Sequence, residues 1–162
     1  MTMTTFGGIL RAQGGGDARL AYCGSALLVA DFFVSATAAA ASTLVQRSST
    51  DTRSVVLPPG AVVVEVQING ASTGGTSPTF DLGTRTLAGG VNTQASLLNE
   101  AASNAKGAFT FAAAQAGASL GVALASTDNH ALIGGAGASA PTGGSVSGRV
   151  LYYVPTDGAI RQ

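Results

Sequence analysis

The stretch VVLPPGAVVVEVQINGASTGGTSPTFDLGT, residues 55–84, decides the fold class. Leu57-Pro58-Pro59-Gly60 reads as a stop: proline removes ladder donors, and Gly60 supplies the positive φ that a type II turn requires. From Ala61 the pattern alternates. Val62, Val64, Val66 and Ile68 face one way, and Glu65, Gln67 and Asn69 face the other, as in a half-buried strand. Val63 is the one apolar residue on the polar face, so that face is expected to be partly covered. Asn69-Gly70 opens a loop that runs through Gly74-Gly75-Thr76-Ser77-Pro78. Beyond it Phe80 and Leu82 alternate inward from a second strand. If the loop is a hairpin, the two strands are antiparallel neighbours.

Upstream, residues 1–19 are polar and Gly-rich, with Gly14-Gly15-Gly16 in a row, which reads as an arm. Phe6, Ile9, Leu10 and Arg11 are its candidate partner contacts. The alternatives are a frayed terminus and an arm that orders on a partner. Residues 20–34 carry two apolar clusters, the second of which (Phe32-Phe33-Val34) predicts a strand. Residues 36–43 are helix-permissive without an amphipathic period, and residues 43–56 predict an exposed strand or hairpin.

Downstream, residues 93–106 predict either a short helix around Leu97 and Leu98 or a loop. Strands are predicted over 108–115 (Phe109, Phe111), over 120–124 (Leu120, Val122, Leu124) and from His130. Residues 134–144 read as a loop. The last strand, 145–154, has Val146, Val150, Tyr152 and Val154 on one face and ends at Pro155. Short strands with turns every 8–12 residues predict an all-β antiparallel β-sandwich or jelly roll. The domain plan is an arm (1–19), a β-sandwich (20–155) and a tail (156–162).

Composition excludes several functions. Only 10% of the 162 residues are charged, and eight of each sign cancel. Lys106 is the single lysine. A sequence-independent nucleic-acid binder needs clustered cations, so none is expected. With 23 glycines, much alanine and no tryptophan, a core built here is thin per residue, which favours an assembly component. The single Cys23 rules out an intrachain disulfide and reads as a small buried residue. The N-terminus lacks a basic region followed by an apolar run, so no secretory leader and synthesis in a cytoplasm are expected. Asp31 interrupts the apolar stretch at 20–45, so no membrane span is expected either.

Chemistry is sparse. His130, in Asp128-Asn129-His130, reads as a loop histidine, because no nucleophile elbow accompanies it. One His and one Cys cannot make a usual zinc site. Glu65 and Asp81 would approach each other across the proposed hairpin, as a glycosidase pair does, but outward charges on a half-solvated sheet explain them equally. Asp81 has Arg85 or Arg53 as potential partners. No calcium loop is present, and Gly74-Gly75 and Gly134-Gly135 read as loop glycines rather than phosphate cradles. No catalytic residue, metal or cofactor is expected.

The run Leu57-Pro58-Pro59-Gly60-Ala61-Val62-Val63, followed by Gly74-Gly75-Thr76-Ser77-Pro78-Thr79-Phe80-Asp81-Leu82-Gly83-Thr84 and the terminal Leu151-Tyr152-Tyr153-Val154-Pro155, resembles small virion proteins of tailed bacteriophages. Proteins that look like this are head decoration (cement) proteins or similar β-rich structural components. The resemblance covers about a quarter of the chain and its motifs are turn and strand signatures. It implies a non-enzymatic protein on the capsid surface, with the major capsid protein as partner and a homotrimer as its oligomer. It carries over no catalytic residue. The alternatives are another virion component (head fibre, tail fibre tip or tail-tube protein) and a carbohydrate-binding module. Absent tryptophan weighs against a fibre tip, and a missing leader against the last.

Overall fold

Proline and glycine at 58–60 turn the chain as their chemistry demands. Gly60 has φ +72°, and the Ala61 N–H donates to Pro58 O at 3.3 Å. The strand that follows belongs to a computed structural model describing residues 27–35, 43–88, 90, 92–110 and 112–155. Nine strands make up its regular structure, with no helix among the described residues: β1 (Leu28–Ser35), β2 (Thr43–Leu44), β3 (Val56–Leu57), β4 (Val62–Gly70), β5 (Thr79–Thr86), β6 (Asn92–Ala102), β7 (Lys106–Thr110), β8 (His130–Ala136) and β9 (Ser145–Tyr153). The fold is all-β.

Two antiparallel sheets face each other. The first has the order β1-β9-β4-β7 and the second β2-β8-β5-β6, with β3 also pairing β8. β4 and β5 therefore lie in different sheets, and the expected hairpin between them is not formed. The reason is the connection. Instead of turning tightly, it is stitched to two other segments, with Thr73 N–H donating to Gly143 O (2.8 Å), Ala71 N–H to Ser145 O (2.9 Å) and the Ser72 and Ser103 hydroxyls bonded at 2.7 Å. Those bonds satisfy the loop's backbone while it crosses from one sheet to the other.

The core lies between the sheets. Phe32, Val66, Val146 and Val150 enter it from the first sheet; Leu57, Phe80, Leu82 and Leu132 enter from the second. The Phe32 and Phe80 rings stack across the interface, 6.4 Å apart and 8° from parallel. Gly148 of β9 makes room for this: a Cβ there would stand 2.8 Å from the Phe32 ring.

Bulges overturn several sequence expectations. In β4 the pairing with β9 slips between Val63 and Glu65, so one extra residue sits opposite the Tyr152–Leu151 step. The extra residue reverses the alternation. Val66 and Ile68 face the core as expected, but Val63 is fully buried, whereas Val64 is only half-buried.

The expected helix or loop over 93–106 is instead the long strand β6. Two irregularities interrupt it, where Leu98 to Ala101 spans three residues against two of β5 and Leu98 to Thr93 spans five against two. Ala95 (φ 52°) and Glu100 (φ 55°) occupy left-handed conformations there. This is how adjacent Leu97 and Leu98 are both buried, which a regular strand forbids.

Three further expectations change. The 120–124 strand is absent: Leu120 and Leu124 are buried, but Val122 is exposed and the segment turns, held by Gly121 N–H to Val63 O and Leu124 N–H to Ala61 O. Gly134 and Gly135 are inside β8 rather than in a loop, and a Cβ on Gly134 would press on the Phe80 ring at 3.0 Å. β7 ends at Thr110, with Phe109 half-buried against the core; Phe111 lies outside the described residues. So do Cys23, the arm, the tail and the helix-permissive segment at 36–42. The 43–56 hairpin is present, with Gln46 bridging both Phe33 and Ser54.

Candidate interaction surface

Among the described residues, each potential reactive group has a structural occupation or stands alone. His130 is a buried first residue of β8 rather than a loop histidine; its Nε2 lies 3.3 Å from Ala125 O, and Nδ1 has no partner among the described residues. Among the described residues, no serine or carboxylate hydrogen-bonds to it, and its sequence neighbour Asp128 is engaged elsewhere. Asp128 instead accepts the Ala88 N–H at 2.7 Å. No group of three or more His, Cys, Asp or Glu that could hold a metal ion exists among the described residues. Nor does any helix among them suit a membrane crossing.

Glu65 and Asp81 are separated by the sandwich. Glu65 takes a hydrogen bond from Gln67 Nε2 (2.7 Å) on the first sheet. On the second sheet, Asp81 Oδ1 accepts the Glu100 N–H at 2.7 Å, and the Glu100 carboxylate accepts the Ala138 N–H at 2.8 Å. Burial pushes the Asp81 carboxyl above its ordinary range; the Glu100 N–H opposes this, and the neighbouring Glu100 charge adds to it. Asp81 thus bonds neither Arg85 nor Arg53, and the carboxylates hold the backbone of a bulged strand.

Charge gathers along one flank instead. Arg53 grips Asp51 through Nε (2.9 Å) and Nη2 (2.7 Å), which holds the Asp51 carboxyl down at about 2 and raises the guanidinium further. Ser48 Oγ accepts the Asp51 N–H at 2.9 Å and shapes the turn. Across a shallow groove, Arg149 Nε donates to Asp31 Oδ1 at 3.0 Å, both side chains well exposed. Pairs this exposed contribute little stability. What they offer is a polar rim around an apolar patch in which Val29 is 56% and Val56 40% exposed. The arrangement can bind another surface; it has no group poised for bond-making.

No family model matches the chain, and no curated protein matches it. Among solved structures, a chain of the capsid of Ralstonia phage GP4 aligns with a TM-score of 0.50 and 21% identity, over 90% of this chain and 92% of that one. The two share a fold. A chain of the cyanophage Pam1 capsid asymmetric unit aligns at a TM-score of 0.46 and 20% identity, over 96% of this chain and 100% of that one. The expected sandwich is thus the observed architecture. Sequence reading missed the Asp51–Arg53 and Asp31–Arg149 pairs: the first has a visible i, i+2 spacing, while the second joins residues 118 positions apart and leaves no local mark.

Proposed function

We propose that the protein is a structural component of a tailed-phage virion, a decoration protein that binds the assembled head and braces it across capsomer boundaries. The supporting observation is the coextensive likeness to a chain of the Ralstonia phage GP4 capsid, which spans nearly the whole of both chains rather than one hairpin. The resemblance of residues 55–84 and 151–155 to small virion proteins points the same way. In this reading the major capsid protein is the partner, the active form is a homotrimer on the capsid surface, and no step involves catalysis.

The mechanism is mass action. A ligand that binds only the assembled lattice stabilises it by the free energy of that binding. Linking several weak contacts within one oligomer raises avidity without new chemistry. Few charges and many small side chains suit close contact with a repeating shell.

The test is sedimentation of the purified protein alone and with emptied, expanded heads of the encoding phage. A species of three times the 15.8 kDa chain that co-sediments saturably with heads supports the proposal. A monomer that stays in the supernatant overturns it.

A further inference from the structure

Asn69-Gly70, the one Asn-Gly pair in the chain, closes β4 rather than opening a loop. Such a pair is chemically labile wherever the backbone is free. The Asn side-chain amide can form a five-membered ring with the next peptide nitrogen, and glycine hinders neither the attack nor the rotation it needs. Here the ring is obstructed twice. Asn69 is extended in the ladder, opposite Ser147 of β9 on one side and Lys106 of β7 on the other. Ring closure needs a turn about its Cα–C bond, which those pairings resist. The attacking nitrogen is also occupied, because the Gly70 N–H donates to Ala105 O at 2.8 Å. The Asn69 side chain meanwhile is exposed, within reach of water and base. Packing keeps the glycine in place, since a Cβ on residue 70 would overlap the Ser103 carbonyl.

The two flanks are unequal. β7 is five residues long, stands last in the order β1-β9-β4-β7, and pairs with β4 alone among the described residues. Its large apolar anchor is the half-buried Phe109. Short outer strands of this kind open locally at a fraction of the free energy of global unfolding. We propose that Asn69 is a latent deamidation site gated by β7. When the Gly70 N–H leaves Ala105 O, base removes its proton and the nitrogen attacks the Asn69 side-chain carbonyl carbon. A C–N bond forms, the side-chain nitrogen takes up a proton and departs as ammonia, and water opens the succinimide at either carbonyl. The products are aspartate and isoaspartate. Either places a negative charge opposite Lys106, the single lysine. Isoaspartate also adds one carbon to the main chain, which moves Gly70 out of register with Val146. Because ammonia is lost, the change accumulates, and β4 records how often its neighbour has opened.

Peptide mapping by mass spectrometry of the full chain, aged at mildly alkaline pH, tests the proposal. Asn69 should deamidate about 100-fold more slowly than in the urea-unfolded chain. Urea below the unfolding midpoint should accelerate the reaction with a slope well under that of global unfolding, because only one short strand is exposed. Phe109→Ala, which removes the anchor of β7, should raise the rate in the folded chain about 10-fold. Should that variant fail to fold, the urea series on the unaltered chain decides alone. A native rate equal to that of the unfolded chain overturns the proposal. A urea slope matching global unfolding overturns it too, and assigns the exposure of Asn69 to the whole domain. An unchanged rate in folded Phe109→Ala removes β7 as the gate.

Discussion

Asp81 and Glu100, on neighbouring strands β5 and β6, are joined by a 2.7 Å hydrogen bond from the Glu100 N–H to Asp81 Oδ1. It falls where β6 carries an extra residue and Glu100 adopts φ 55°. The carboxylate therefore pins a bulge, taking a donor that the ladder has lost.

Removing that acceptor should loosen the edge of the second sheet. Asp81→Ala is expected to cost about 1 kcal/mol, the net value of such a bond, or a fall in Tm of about 3 °C. Asp81→Asn keeps an acceptor and separates geometry from charge. Because burial raises the Asp81 pKa in the folded state, its ionised form is disfavoured by folding at neutral pH. That penalty disappears as pH falls through the raised value. The advantage of the Asn variant over wild type should therefore be greatest near neutrality and shrink on acidification. Asp51, held at about 2, has the opposite sign, and its contribution is lost below the ordinary carboxylate range. Thermal unfolding from pH 7 to pH 3 checks both signs; an Asp81→Asn difference that grows towards acid would refute the first.

The bulge in β4 sets a second expectation. Val63→Asp buries a charge in the core and should abolish folding, at a cost of several kcal/mol. Val64→Asp, at the half-buried extra position, should cost only about 1 kcal/mol and remain soluble. Urea unfolding of the two variants distinguishes them. The reverse ranking would restore the uninterrupted alternation of Val62, Val64 and Val66.

These two strands also show where the sequence was legible. β9 and the start of β5 follow their period of two without interruption, so Val146, Val150, Phe80 and Leu82 were placed inward correctly. Gly60 marked its own turn. The bulges carried no such mark, since Ala95 and Glu100 take glycine-like conformations without being glycine, and a Leu97-Leu98 pair reads as helix until they are known. The hairpin between β4 and β5 failed for a different reason. Which sheet a strand joins depends on pairings such as β4 with β9, some eighty residues away, and Asn69-Gly70 is compatible with either route. The surface flank was least legible of all, because its apolar patch and ion pairs arise only when residues 28–31, 47–56 and 149–152 meet.

Ala95 gives an expectation of its own. At φ 52° its Cβ crowds the following carbonyl, a strain of about 1–2 kcal/mol that glycine does not bear. Ala95→Gly gives back part of this by loosening the unfolded chain. The net effect should be stabilising by up to about 1 kcal/mol, seen as a rise in the urea midpoint with unchanged slope. Destabilisation would mean that the residue is not left-handed in solution.

One truncation tests the role expected of the arm. Deleting residues 1–16 removes Phe6, Ile9, Leu10 and Arg11. If the arm attaches the domain to the head, head binding should weaken while Tm stays as in the full chain. Quantitative co-sedimentation alongside thermal unfolding measures both. Unchanged head binding after this deletion would remove the arm from attachment and leave the folded surface, with its Asp31–Arg149 rim, as the contact.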